Sequence, residues 1–238
     1  MSTPFRAVIL AGGRGTRLRP YTVTLPKPLV PVGDEPILDI VMRQLKAAGV
    51  ERVTLAVSHL AELLMAYFGE GARLGLPIDY SREPQPLGTV GPLRLIPDLP
   101  STFLVMNGDI LTDLDFRGFW ERHNASGAIA SVGTVDRTTT LDYGVMHVGA
   151  DGVLTAFQEK PTLTHSVSMG VYAFSREVLR FVPADQPFGF DNLMLTLLAH
   201  GERVRCEPHA GRWLDIGRPD DYEAAQRLSL DGRLPSPA

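Results

Sequence analysis

In the first half of the chain, apolar residues form short continuous runs that alternate with amphipathic stretches. Ala7-Val8-Ile9-Leu10 anchors a strand predicted over 5–10, apolar enough to be buried on both faces. Residues 36–48 carry apolar side chains at helical spacing, with Pro36 suited to a first turn and Gly49 to the stop. Residues 52–57 read as a second strand, 61–68 as a helix closed by Gly69, and 76–81 as a short strand. A turn-rich loop over 83–91 opens a short helix ending at Leu95. Then come a strand over 102–106, a helix over 116–124 and a strand over 128–135. This alternation predicts an α/β fold with a parallel sheet and helices on both faces.

From Gly144 the pattern changes to strand pairs. Residues 144–148 and 153–157 flank Gly149-Ala150-Asp151-Gly152, a hairpin signal. A strand over 167–174, helices over 176–181 and 191–200, a strand over 204–207 and a helix over 219–228 follow. The last residues, 231–238, read as a frayed tail. No repeat or low-complexity segment interrupts the 238 residues, a length suited to one domain.

The first strand runs into Ala11, Gly12, Gly13, Arg14, Gly15, Thr16 and Arg17, within a glycine- and proline-rich loop reaching Asp34. So long a loop is unusual in a compact domain unless it is functional. Glycines let backbone N–H groups approach a ligand, and Arg14, Arg17 and Arg19 add positive charge, so a polyphosphate is the simplest ligand. The plain alternative is a solvated turn. The loop is not a dinucleotide fingerprint: Arg17 stands where a third glycine is needed, and the second strand ends in Ser58-His59 without an acid. It is not a P-loop either, because Gly15-Thr16-Arg17 replaces Gly-Lys-Ser/Thr.

Composition sharpens the picture in three places. A formal net charge of −4 excludes a general attraction to nucleic acid, so a phosphate must be met by local charge. Only three of the 23 basic residues are lysine, and two of them, Lys27 between prolines and Lys160 in Glu159-Lys160-Pro161, fall in turns where a compact charge is useful. The single cysteine, Cys206, reads as a buried structural thiol, and this usage fits a reducing cytoplasm. Residues 1–6 contain no apolar leader core, and no run reaches a membrane span, so the expected address is cytoplasmic.

Two acidic positions stand out. Asn107-Gly108-Asp109 ends an apolar strand on the same side as the glycine loop, where ligands of parallel sheets bind. Asp109 there suits Mg²⁺, and a polar turn is the alternative. Asp215 lies in Trp213-Leu214-Asp215-Ile216-Gly217. The six histidines show no metal-ligand spacing and read as core or surface residues.

The run Leu10-Ala-Gly-Gly-Arg-Gly-Thr-Arg-Leu18, continued by Arg19-Pro20 and Leu25-Pro-Lys-Pro28, resembles the signature of the sugar-nucleotidyltransferases, the nucleoside diphosphate-sugar pyrophosphorylases. The resemblance covers about 5–228. It implies a Rossmann-like, mixed, mostly parallel sheet with a small β-rich sugar-binding part, in one domain with a nucleotide half over 1–135 and a sugar half over 136–230. No C-terminal β-helix domain is expected. It implies an NTP and a sugar 1-phosphate as partners, Mg²⁺ as cofactor, neither nucleic acid nor membrane, and allows a homodimer.

By the same resemblance Asp109 and Asp215 hold the metal, Arg17 and Lys27 meet the phosphates, and Lys160 holds the sugar phosphate. Leu10, Ala11, Gly12, Gly13, Gly15 and Thr16 line the nucleotide together with Glu83, Gln85, Gly88 and Thr89. Tyr143, Gly144, Glu159, Ser168, Gly170 and Trp213 belong to the sugar half, with Trp213 bracing Asp215. Ser168-Met169-Gly170 departs from the usual Asn-x-Gly, which leaves the sugar open. The string from Pro86 to Leu93 looks most like the mannose and manno-heptose guanylyltransferases. An ionised glutamate accepts both donors of a guanine edge, whereas glutamine suits uracil or thymine, and both Glu83 and Gln85 are present. The donor count favours GTP. Uridylyl or thymidylyl transfer, cytidylyl transfer to a non-sugar phosphate such as phosphocholine, and a non-catalytic NDP-sugar-binding regulator stay as alternatives.

Overall fold

A computed structural model describes residues 4–235. Residues 1–3 and 236–238, which include the end of the expected frayed tail, lie outside the described residues.

In chain order the elements are β1 (Arg6–Leu10), β2 (Pro31–Val32), β3 (Glu35–Pro36), α1 (Ile37–Ala47), β4 (Arg52–Val57), α2 (Ala61–Phe68), β5 (Ile78–Arg82), β6 (Thr102–Asn107) and β7 (Ile110–Thr112). They continue with α3 (Phe116–Ser126), β8 (Ala130–Thr140), β9 (Val145–Val148), β10 (Leu154–Gln158), β11 (Thr162–Ser175), α4 (Phe190–Ala199), β12 (Val204–Pro208), β13 (Trp213–Asp215) and α5 (Pro219–Leu230). Segments Gly91–Leu95 and Arg176–Phe181 are 3₁₀ turns rather than α-helices.

Seven strands form one mixed sheet in the order β12-β8-β11-β6-β1-β4-β5. Four of its pairings are parallel and the two made by β11 are antiparallel. Period-two alternation sends side chains to two separate cores. Ala7, Ile9, Leu104, Met106, Val171 and Ala173 pack on one face under α1, α2, α3 and α5. Val8, Phe103, Val105, Tyr172 and Phe174 pack on the other under α4 and the two 3₁₀ turns. Full burial of each Val, Leu, Ile, Phe or Met side chain among them contributes about 1.5–3 kcal/mol. The sheet is therefore sealed on both sides, and β1, β4 and β6 open together at their C-terminal ends.

Two sequence expectations are corrected, and one pairing is added. Cys206 is exposed, because β12 is the edge strand of the sheet and pairs only with β8. The stretch up to Pro235 is docked rather than frayed: Leu234 packs on the core, Pro235 is buried, and its carbonyl accepts from Gln44 Nε2 at 2.6 Å. β7 and β13 pair antiparallel, Asp215 opposite Ile110, and each is only three residues long, too short for a periodic signal.

Candidate functional site

An open cleft of about 710 Å³ lies over the C-terminal ends of β1, β4 and β6. Its walls are the glycine loop from Leu10 to Arg17, Lys27, the 83–89 loop, and Asn107-Gly108-Asp109. The loop is held from below by backbone bonds: Ala11 N–H donates to Ala56 O at 2.8 Å and Gly108 N–H to Leu10 O at 3.1 Å.

Each of three glycines meets a different demand. A Cβ at Gly12 would stand 2.6 Å from Glu83 Oε1 and 3.1 Å from Ser58 Cβ, so the backbone passes tightly between the two. Gly15 has φ +59°, and a Cβ there would reach Thr22 Cγ2 at 2.9 Å. Buried Thr22 clamps this point, its hydroxyl donating to Gly15 O at 2.7 Å. Gly13 has nothing within 4 Å of its Cβ position and faces open space. Arg14 and Arg17 also line the cleft, and no hydrogen bond or ion pair ties either within the described residues.

Beside the loop, opposite charges converge. Lys27 Nζ bonds Asp109 Oδ2, and both side chains are largely buried. Asp215 Oδ1 accepts Gly217 N–H at 3.0 Å, while Ile216 N–H donates to Asp109 O at 3.0 Å. The β7–β13 pairing thus brings two carboxylates from distant sequence to one edge of the cleft. A Cβ on Gly217 would stand 2.5 Å from Lys27 Nζ, 2.9 Å from Arg17 Nη2 and 2.9 Å from Asp215 Oδ1, so all three converge on that glycine. Burial pulls the Lys27 ammonium down to about 8; Asp215 opposes this and Arg17 adds to it. The cluster is a concentrated, partly dehydrated cation pair with two carboxylates, suited to polyanions and a divalent cation.

The far wall is a built loop. Glu83 Oε2 accepts Leu87 N–H at 2.9 Å, and burial raises the Glu83 carboxyl above its ordinary value. Gly88, with φ +80°, sits 2.8 Å by its Cβ position from Phe188 O. Phe190 N–H donates to Thr89 Oγ1 at 2.8 Å, and Gln85 Nε2 donates to Asp185 O at 3.3 Å. The loop is thus fastened to the segment preceding α4.

The sugar-half candidates are distributed differently. Gly170, φ +75°, abuts Asn107 Nδ2 at 2.7 Å from its Cβ position and so touches the cleft wall. Ser168 Oγ donates to Tyr172 OH at 3.1 Å and accepts Gly170 N–H at 3.3 Å. Trp213 Nε1 donates to Met169 O at 2.8 Å, and Arg137 lies 4.6 Å from its ring, an arrangement that fixes the strand carrying Asp215. Tyr143, Gly144, Glu159 and Lys160 stand outside the walls of the cleft, and Lys160 Nζ pairs with Asp142 at 2.9 Å.

The structure adds Ser58 and His59, which line the cleft at the end of β4. His59 precedes Leu60, held at φ +55° before α2. The available sequence signal was its place two residues past the end of a parallel strand, as Asp109 lies past β6. His123, by contrast, is a core residue: Nδ1 lies 2.9 Å from Ser131 Oγ, and burial lowers the imidazole to about 4.

Comparison with known proteins gives concordant results. Residues 6–232 match the family model described as nucleotidyl transferase. The chain is 35% identical over 96% of its length to a UTP–glucose-1-phosphate uridylyltransferase of Synechocystis, covering 64% of that protein. It is 36% identical over 98% of its length to a probable mannose-1-phosphate guanylyltransferase 2 of Arabidopsis thaliana, covering 67% of it. The chain thus spans about two thirds of the length of these curated relatives. Among solved structures, HddC from Yersinia pseudotuberculosis complexed with GMP-PN superposes with a TM-score of 0.72 at 27% identity, covering 94% of this chain and 99% of that one.

Proposed function

The chain belongs to the nucleotidyl transferase family, and from that premise we propose that it transfers a nucleotidyl group from a nucleoside triphosphate to a sugar 1-phosphate and releases pyrophosphate. The observation that supports this best is the meeting of Arg17, Lys27, Asp109 and Asp215 beside the glycine loop. A sugar-phosphate oxygen attacks the α-phosphorus in line, and the bond to pyrophosphate breaks. No protein nucleophile is needed, so positioning and charge neutralisation supply the rate. Loop N–H groups seat the triphosphate. Arg17 neutralises charge growing on the leaving pyrophosphate, and Lys27 reaches the phosphates. Lys160 holds the sugar phosphate in this proposal, with the sugar hydroxyls met from Tyr143, Gly144 and Glu159.

Asp109 and Asp215 fit Mg²⁺: two carboxylates meet at one edge of the cleft, the hard oxygen donors this ion takes, and substrate phosphates complete such sites. When bound, Mg²⁺ supplies Lewis-acid neutralisation of phosphate charge.

GTP and a mannose- or manno-heptose-type sugar are the favoured pair. A half-buried carboxylate at Glu83 suits the two donors of guanine, and the Arabidopsis relative and the GMP-PN-bound neighbour point the same way. A second reading, uridylyl transfer to glucose 1-phosphate, draws on the Synechocystis relative and on Gln85 in the cleft wall. The test is pyrophosphate release across a panel of nucleotides and phosphorylated acceptors with Mg²⁺. Turnover with GTP and a manno-configured sugar phosphate supports the first pair. Turnover with UTP or dTTP and glucose 1-phosphate supports the second. Turnover only with CTP and phosphocholine, or nucleotide binding with no turnover at all, overturns sugar nucleotidyl transfer.

A further inference from the structure

The arginines of the glycine-rich loop do not share one destination. Arg14 and Arg17 line the cleft, whereas Arg19 lies in the wall of a second open pocket, about 490 Å³, that meets the cleft at Arg17. One wall of this pocket is the loop, with Arg17, Arg19 and Tyr21; the other is α5, with Tyr222, Glu223 and Arg227. Arg17 belongs to both cavities. Its Nη2 stands 2.9 Å from the Cβ position of Gly217, which lines the cleft, and Pro219, two residues on, lines the pocket. The Arg17 guanidinium therefore stands at the partition between the two spaces.

The frame of the pocket is fixed. Tyr222 OH and Gln226 Nε2 both donate to Pro31 O at 2.9 Å, and Gln226 Oε1 accepts Gly33 N–H at 2.9 Å. The Tyr21 ring leans on that of Tyr222, with centroids 5.6 Å apart. Its cations, by contrast, are not satisfied within the fold. Arg17 and Arg19 make no hydrogen bond or ion pair among the described residues, and neither does the Tyr21 hydroxyl. Arg227 has only Glu223, at 3.8 Å, with both side chains 70% exposed, a pair that contributes little in water. Three guanidiniums against one carboxylate leave a positive surplus in one concave space, on a chain whose net charge is −4. Guanidinium forks match the geometry of phosphoryl oxygens, and a free phenol hydroxyl adds a donor.

We propose that this pocket is a docking site for the pyrophosphate that the transfer reaction releases, an assignment that rests on the nucleotidyl transfer proposed above. Pyrophosphate is a compact, multiply charged anion with oxygens on two phosphorus atoms, so separate guanidiniums can hold it at both ends. Arg17 meets the leaving group in the cleft. Arg19 and Arg227 receive it beyond the partition, with the Tyr21 hydroxyl donating to it. Passage beyond Arg17 clears the glycine loop for the next triphosphate.

The experiment is equilibrium dialysis of radiolabelled pyrophosphate against the full chain. The wild type shows a class of sites that Arg19→Gln and Arg227→Gln each weaken by about 10-fold or more, the loss of one charge-assisted hydrogen bond. Tyr21→Phe, which keeps the ring on Tyr222, weakens the same class to a lesser extent. Lys27→Met, altered in the cleft, and Arg43→Gln, which removes an exposed arginine elsewhere, leave this class intact. Far-UV circular dichroism is unchanged throughout; should Arg227→Gln lose its fold, Arg19→Gln and Tyr21→Phe carry the decision. A wild type with no class of sites sensitive to the pocket variants overturns the assignment. So does a class weakened equally by Arg43→Gln, which is general charge, or by Lys27→Met, which is the cleft. Mannose 1-phosphate filling the class more tightly than pyrophosphate overturns the leaving-group role. Turnover in the nucleotide panel with this class absent overturns the pocket alone, whereas a panel without turnover while the class persists overturns the reaction and the leaving-group role with it.

Discussion

Alanine at Gly13 and at Gly15 separates ligand approach from backbone strain within one loop. Gly15 is held at φ +59°, which costs an L side chain about 1–2 kcal/mol. Its new methyl would also stand 2.9 Å from Thr22 Cγ2 and 3.0 Å from Lys27 Cβ. Thr22 is 4% exposed and hydrogen-bonded to Gly15 O, so it has little room to yield. Together these destabilise Gly15→Ala by about 2–3 kcal/mol, a fall of roughly 5–10 °C in Tm for a chain of this size. Gly13 lies outside the left-handed region and has no atom within 4 Å of the new methyl. Gly13→Ala is therefore neutral or stabilising by up to about 1 kcal/mol, since alanine has less chain entropy to lose. If the loop N–H groups take the phosphates, that methyl stands where a phosphate must approach. Loss of one charge-assisted hydrogen bond weakens nucleotide binding by about 1.5–3 kcal/mol, roughly 10- to 150-fold. Differential scanning fluorimetry gives Tm, and titration calorimetry with a non-hydrolysable GTP analogue gives Kd. Wild-type affinity in Gly13→Ala would refute phosphate seating by the loop, and a wild-type Tm in Gly15→Ala would refute the strain argument.

Asp109→Asn should lower kcat at least ~10²-fold, as removal of one electrostatic stabiliser does elsewhere, with Tm within a few degrees of wild type; substantial residual turnover removes it from the reaction. Chelation with EDTA should abolish pyrophosphate release and excess Mg²⁺ restore it; turnover that persists through chelation contradicts the metal proposal. Glu83→Gln should raise KM for GTP by about 10- to 100-fold, one lost charged acceptor, and leave UTP unaffected. Because burial raises the Glu83 carboxyl, wild-type GTP affinity should also fall at mildly acid pH where an ordinary glutamate is still ionised; a flat profile identical to that of the variant counts against Glu83 as the base reader. His123 at about 4 in the fold and near 6.5 unfolded leaves the unfolded chain binding more protons between those values, so stability present above pH 6.5 drains away towards pH 4, by about 3 kcal/mol. Urea melts across that window should show the slope in the wild type and its loss in His123→Leu.

The sheet and helices were largely legible because each central strand is a continuous apolar run and each helix carries its own stop: Gly49 at φ +82°, Gly69 at +53°, Gly201 at +68°. Those are local properties. β7 and β13 were not legible, since three residues carry no period. Without that pairing Asp215 has no address, and its meeting with Asp109 and Lys27 cannot be inferred from spacing alone. His59 was missed for a related reason: a lone histidine shows its role only when neighbouring strand ends place it in a wall.

By itself the sequence determined the glycine-rich, basic loop, the α/β alternation and the family resemblance, all written in neighbouring residues where backbone freedom, charge and periodicity act locally. Burial and convergence belonged to the tertiary structure. Apolar alternation in 144–158 and in the core strands looks alike along the chain, because a pattern records side-chain type and not whether a second layer covers it. The same limit put Cys206 in the core on paper and at a sheet edge in the fold. Only the packed sheet decided which glycines touch a neighbour, which carboxylates meet Lys27, and which apolar strands stay exposed.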